Sequence, residues 1–191
     1  MKKRMALYVR CFLSLLHIAF TKILNIRTFN SATLQDFSPC TKFSLSSGGK
    51  ITLEKHIHTR RGVVLETDGG NIEVGEGTFF NNGCMVVSKE SIKIGKYTSF
   101  GPNVLIYDHD HNIHSGEDIH DSGFVTDGVT IGDNVWIGAN TVILRGSVLG
   151  DGCVVGAGSV IKGTYPPDSV IIQKRTENIT VKKRGKEVVV C

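Results

Sequence analysis

The sequence predicts an all-β chain wound as a parallel β-helix, with an N-terminal helix and one protruding loop. Three observations carry this expectation: a strict six-residue aliphatic period, 22 glycines against 4 prolines, and a single break in the period between Ile106 and Ile131.

The period is clearest in the C-terminal half, where Ile131, Ile137, Ile143, Leu149, Val155 and Ile161 follow one another without a slip. Gly132, Gly138, Leu144, Gly150 and Gly156 come directly after the first five, and Val135, Thr141, Ser147, Cys153 and Ser159 come four places after them. Such a period fits neither a helix, at about 3.6 residues, nor one long strand alternating every second residue. It fits short strands meeting at corners. Three hexapeptides close a triangular coil, with the aliphatic residue inward and the following glycine permitting the corner.

Weaker copies lie upstream: Leu53, Thr59 and Leu65 with Ile57 and Val63, then Val74, Phe80 and Val86, then Ile94, Phe100 and Ile106 with Thr98 and Val104. The coil is expected from about 50 to 163, within a domain of residues 50–168. A β-sandwich would space its strands by about 8–12 residues and leaves this period unexplained.

Ahead of the coil, residues 1–49 are expected to form a helix and a linker. Met5 to Phe20 is apolar and follows Lys2, Lys3 and Arg4, yet Arg10 and His17 interrupt it and no small-residue cleavage site follows. It is short for a membrane span. Lys2 to about Asn25 reads as an amphipathic helix that either packs on the domain or makes peripheral contact with a membrane. Ser31 to Ser47 reads as loop. Behind the coil, residues 169–191 read as a basic extension.

Composition excludes other classes. With 40% apolar and 21% charged residues the chain is globular rather than disordered. The net charge of +4 resides mostly at the two ends, and no basic stripe with interleaved aromatics runs through the body, so nucleic acid is not an expected partner. Five dispersed cysteines without a CxxC pair suit a reducing, cytoplasmic setting.

The run G-V-T-I-G-D-N-V-W-I-G-A-N from Gly128, the run G-D-G-C-V-V-G-A-G-S-V-I from Gly150, and then Pro166 and Pro167 resemble the hexapeptide-repeat O-acetyltransferases, of maltose, galactoside and capsule-modifying kinds. The resemblance covers about 72–168. It implies a left-handed coil, although crossover connections are otherwise right-handed, and a homotrimer with active sites between neighbouring coils. It also implies acetyl-CoA as cosubstrate, a sugar-type acceptor and no required metal.

The break in the period holds four of the seven histidines, in a loop leaving a rigid scaffold. A hydroxyl attacking a thioester needs a base of near-neutral affinity, which imidazole supplies. Aligned with the family from Pro102, the catalytic histidine falls on His111, or on His109 if two residues are gapped. Asp108 and Asp110 are candidates to orient the imidazole, and Asp108 also to touch substrate. The resemblance further places coenzyme contacts on Ala139, Ala157 and Lys162, an aromatic site wall on Trp136 and an acceptor amide on Asn81.

The chain departs from the family after Val170, where I-I-Q-K-R-T-E replaces the usual small segment, and Lys174 and Arg175 become candidates for the phosphates. It also lacks the helical cap of the maltose type, which suggests a surface-polysaccharide precursor or lipid-linked sugar as acceptor. Three other readings compete: a metal held by His109, His111 and His114, a β-helix without catalysis, and N-acetylation of an amino sugar.

Overall fold

The protein is described by a computed structural model over residues 2–113 and 118–173, with a short ladder at 182–183 and 186–187. Helix α1, Lys2–Leu24, precedes a parallel β-solenoid of about six turns. Three sheets form its sides. Sheet 1 has seven strands, from Phe29–Ser31 to Thr164–Tyr165; sheet 2 has six, from His58–Thr59 to Val170–Ile171; sheet 3 has six, from Lys42–Ser46 to Val160–Ile161. The chain visits them in that order, once per coil.

The six-residue period survives as an inward column on each side. On sheet 2, Phe80 pairs in register with Phe100, Phe100 with Ile137 and Ile137 with Val155, and all four are buried. Phe80 and Phe100 stack with centroids 4.7 Å apart and planes 2° from parallel. The second inward slot carries Val135, Thr141, Ser147, Cys153 and Ser159, each buried. Its polar members turn their hydroxyls onto backbone carbonyls, as Ser147 does on Leu144 at 2.6 Å and Ser159 on Gly156 at 2.6 Å.

The glycine after the aliphatic residue does not make the corner. Positive φ falls two places later, on Asn134 (53°), Asn140 (56°), Gly146 (73°), Gly152 (69°) and Gly158 (71°). The earlier glycine is needed because coils touch there: a Cβ on Gly138 would stand 2.5 Å from the Ala157 nitrogen. Hydrogen absent of any side chain is what fits between two backbones at that distance.

The solenoid begins before residue 50. Phe29–Ser31 pairs with Lys50–Leu53, Asp36 bridges His58, and Lys42–Ser46 pairs with Val64–Asp68. The stretch expected as loop is therefore the first coil. Its interior is bulky and polar, which erased the period: Gln35 donates to Glu54 O at 2.6 Å and accepts from Ile57 N at 2.7 Å, and the Thr41 and Thr59 hydroxyls meet at 2.5 Å. Phe43 contacts Phe29 and Phe37, with centroids at 5.0 and 5.4 Å, under α1. At the other end the last coil reaches Ile171, and Gln173 closes sheet 3 by accepting from Val160 N at 2.8 Å and donating to Val160 O. The wording of the departing segment thus serves the coil's end. Lys174 and Arg175 lie outside the described residues.

Replacing Phe100 by alanine opens the interior beneath Phe80. The expected loss is about 3–5 kcal/mol, seen in chemical denaturation as a lower midpoint at unchanged slope; a loss below about 1 kcal/mol would mean the coils re-pack freely.

Candidate functional site

After Leu105–Tyr107 the chain leaves the corner between sheets 3 and 1 and returns at Val129–Ile131. Asp108 holds the exit. It is 0% exposed and sits one residue beyond the Tyr107–Val87 pair, in register with Ser88. Its carboxylate accepts from Ser88 Oγ at 2.7 Å, Lys89 N at 2.8 Å and Glu90 N at 2.9 Å, so it ties the excursion to the corner of the coil before. Burial raises its pKa, but the donors from Ser88, Lys89, Glu90 and His109 outweigh that and hold the carboxyl below its ordinary value. Across the neck, Asp127 N donates to Asp108 O at 2.9 Å.

Beyond the neck the loop is a hairpin, His109–His111 paired antiparallel with Phe124–Thr126. With Asp108 ionised, His109 donates from Nδ1 to Asp108 Oδ1 at 3.0 Å, which leaves Nε2 as the acceptor nitrogen. The His109 side chain is 13% exposed, edge-on to Tyr107 and Phe124. His111 is exposed and leans on Phe124, with centroids 4.7 Å apart. It borders a cavity of about 340 Å³ lined also by Asp110, Asn112, Ile113, Val125 and Arg145, in which Arg145 Nε donates to Asp110 Oδ2 at 2.7 Å. Asp108, expected to touch substrate, is instead enclosed and can act only through His109 and the neck.

Lys89, Phe124 and Arg145 escaped the reading of the sequence. Lys89 lies 3.9 Å over the Phe124 ring and 2.5 Å from Asp68, clamping the hairpin to the coil. Hydrogen bonds from Lys89, Ser47 and Ser46 pull the Asp68 carboxyl down to about 2. A signal existed for Arg145: of the five hexapeptides that begin at Ile131, Ile137, Ile143, Leu149 and Val155, its own has leucine, Leu144, where the other four have glycine.

The remaining candidates occupy other faces. Ala139, half-buried, and Ala157, exposed, stack at the corner between sheets 2 and 3, where Gly158 N donates to Ala139 O at 2.8 Å. Asn81 lies on the same corner, its side-chain oxygen accepting from Asn82 N at 2.9 Å. Trp136 is 59% exposed on the outer face of sheet 2, between Ser99 and Val154. Lys162, exposed, follows Ile161 at the corner between sheets 3 and 1, one coil beyond Leu144, so it stands on the hairpin's side of the prism. Within one chain the histidines and the alanine corner are thus on two different edges.

Cys84 and Cys153 are buried, their thiols on Gly101 O and Pro166 O at 3.2 Å, and burial pushes the Cys84 thiol up, as suits core residues. His114, required by the metal reading, lies outside the described residues; among the described residues no three His, Cys, Asp or Glu converge.

Residues 128–163 match the model of the bacterial transferase hexapeptide (six repeats). No curated protein sequence matches the chain. Among solved structures, a variant of AntD, an N-acyltransferase from Bacillus cereus in complex with dTDP-4-amino-4,6-dideoxyglucose and coenzyme A, superposes with TM-score 0.61 at 16% identity, over 76% of this chain and 80% of that one. A maltose O-acetyltransferase from Clostridium difficile 630 is 29% identical over 76% of this chain and 66% of its own, with TM-score 0.50. The polySia-specific acetyltransferase NeuO gives TM-score 0.50 at 17% identity, over 80% and 87%.

Asp108→Ala strands the four donors of Ser88, Lys89, Glu90 and His109 and is expected to cost about 2–4 kcal/mol. Because the folded pKa of Asp108 is lowered, its contribution is full above the unfolded value of about 3.9 and disappears as pH falls through the folded value. Denaturation followed against pH should therefore show an acid-side loss of stability that is shallower in Asp108→Asn; identical slopes would contradict the anchoring role.

Proposed function

We propose that this chain, whose residues 128–163 match the bacterial transferase hexapeptide model, transfers an acetyl group from acetyl-CoA to a hydroxyl of a sugar-type acceptor. The observation that carries the reading is the histidine hairpin set on such a coil, with His111 opening on the cavity beside Arg145. The AntD complex with coenzyme A and the 29% identity to a maltose O-acetyltransferase support the donor and the reaction type.

His111 is the proposed base. It accepts the acceptor's hydroxyl proton as that oxygen attacks the thioester carbon, and it returns the proton to the departing thiolate. A backbone amide at the Ala139 corner is the proposed donor to the developing oxyanion. That corner fits a pantetheine arm, because Gly101, Ala139 and Ala157 carry nothing larger than a methyl and leave the backbone open to approach. Trp136 would flank the arm or a sugar face, Lys162 would meet the phosphates, and Asn81 would hold an acceptor hydroxyl.

The two edges that carry these groups come together only if neighbouring chains share a site, so the active unit is proposed to be a homotrimer whose interfaces join one chain's hairpin to the next chain's alanine corner. Phe124 and Lys89 hold the hairpin, and the Asp110 contact holds Arg145 toward the cavity.

A second assignment has an observation in its favour. His109, in the hairpin, has the Asp108 carboxylate on Nδ1, the arrangement that fixes an imidazole as acceptor at Nε2. On that reading His111 binds substrate. O- and N-acetylation share this chemistry, since an amine acceptor needs the same base.

Thiol release from acetyl-CoA, measured over a panel of sugars and nucleotide sugars, tests the assignment. His111→Ala is expected to lower turnover by roughly 10²–10⁴-fold, and His109→Ala by less. The reverse order would move the base to His109, and unchanged turnover in both variants would defeat the mechanism.

A further inference from the structure

Helix α1 faces the coil with its polar side. Ser14 Oγ donates to Arg10 O at 2.8 Å and accepts from Phe37 N at 2.8 Å, and Arg10 pairs with Asp36 at 3.0 Å. Ile18 and Thr21 are buried beside them. Tyr8, Phe12, Leu16, Phe20, Ile23 and Leu24 point away, with Phe12 60% and Phe20 63% exposed. At about 100° per residue these positions cover close to half the helix circumference, over a length of some 25 Å. Scattered exposed apolar residues need no account, but a continuous strip of this size does.

Charge indicates what covers it. Residues 1–35 contain Lys2, Lys3, Arg4, Arg10, Lys22 and Arg27, and no aspartate or glutamate. At the C-terminal end of α1 a cleft of about 310 Å³ is lined by Lys22, Arg27 and Lys50, with Thr28 and Asn30 as further polar groups. Basic residues beside an apolar helix face match an anionic lipid surface, with acyl chains for the face and phosphates for the cleft. A second copy of the chain would bring an equally basic segment against this one, which charge opposes. No helix among the described residues is long and apolar enough to cross a membrane.

We propose that α1 docks the protein on an anionic bilayer surface, with its apolar face in the headgroup region and Lys22, Arg27 and Lys50 around a lipid phosphate. This inference is independent of the acyl-transfer reading. It concerns the opposite end of the solenoid from the last coil and uses none of the proposed catalytic groups.

Co-sedimentation of the full chain with vesicles of phosphatidylcholine alone, and of phosphatidylcholine with an equal part of phosphatidylglycerol, tests it. Pelleting is expected with the anionic vesicles and about tenfold less with the neutral ones, and it should weaken with salt. Phe12→Ser with Phe20→Ser should lower partition at least about tenfold on loss of the buried rings. Arg27→Gln with Lys50→Gln should lower it on anionic vesicles only. All four side chains lie at the surface, and circular dichroism melts should match the native chain. The proposal is overturned if the native chain fails to pellet with anionic vesicles, or if the double phenylalanine variant pellets as the native chain does. It is equally overturned if that variant instead dissociates a native oligomer, which would show that another copy covers the face.

Discussion

The structure depends on the direct stacking of one coil's backbone on the next. Each strand's amides reach the carbonyls of the neighbouring coil, as Gly138 N reaches Val155 O at 2.8 Å and Gly101 N reaches Ile137 O at 2.7 Å. Everything inside a coil must then fit the rise between adjacent strands, about 4.8 Å. That spacing demands one aliphatic or small side chain per inward slot, a residue tolerant of positive φ at each corner, and no Cβ where corners touch. The excursion at 108–127 is tolerated because its neck restores the stack: Asp127 N meets Asp108 O and Gly146 N meets Asp127 O, both at 2.9 Å. The coil continues as though nothing had been inserted.

The same constraint explains what could be read from the sequence. From Ile131 to Ile161, coils repeat at 18 residues, with Ile143 paired to Ile161 and Ile131 to Leu149, so the hexapeptides stand in plain view. Upstream the step is longer: Leu65 pairs with Val86, 21 residues on, and Val86 with Ile106, 20 on. The surplus goes into longer strands such as Val64–Asp68 and into the Gly69–Gly70 corner, which weakens the period without ending it. The first coil was illegible because Gln35 and Phe43 replace the small and aliphatic residues, and their contacts, with Glu54 and Ile57 and with Phe29 and Phe37, have no sequence period. The protruding loop was legible as a break in register, whereas its hairpin geometry was not. Lys89 and Asp68 precede it by tens of residues, and their clamp on Phe124 exists only once the coils stack.

The site shows a similar division. The resemblance put candidates at positions along the chain, and the fold sorted them by edge: the histidines and Lys162 on one, Asn81, Ala139 and Ala157 on another, Trp136 on the outer face of sheet 2. Burial then separated Asp108 from the residues that can meet a substrate. A rigid prism cannot bring its own edges together, since its interior is filled by residues such as Phe80, Phe100 and Ile137. The proposed site therefore depends on contact between chains, which turns the edge positions of the candidates from an obstacle into a geometric requirement.

Complementation between inactive chains tests that requirement most directly. His111→Ala removes the proposed base from one edge, and Ala157→Trp obstructs the proposed donor corner on another while changing only an exposed side chain. Each alone should be inactive in thiol release from acetyl-CoA. If sites are shared between chains, dissociating and reassembling the two variants in equal amounts should restore about one quarter of native activity, because a quarter of interfaces join two intact edges. If the mixture stays as inactive as its components although mixed assemblies form, each site lies within one chain and the central claim is contradicted.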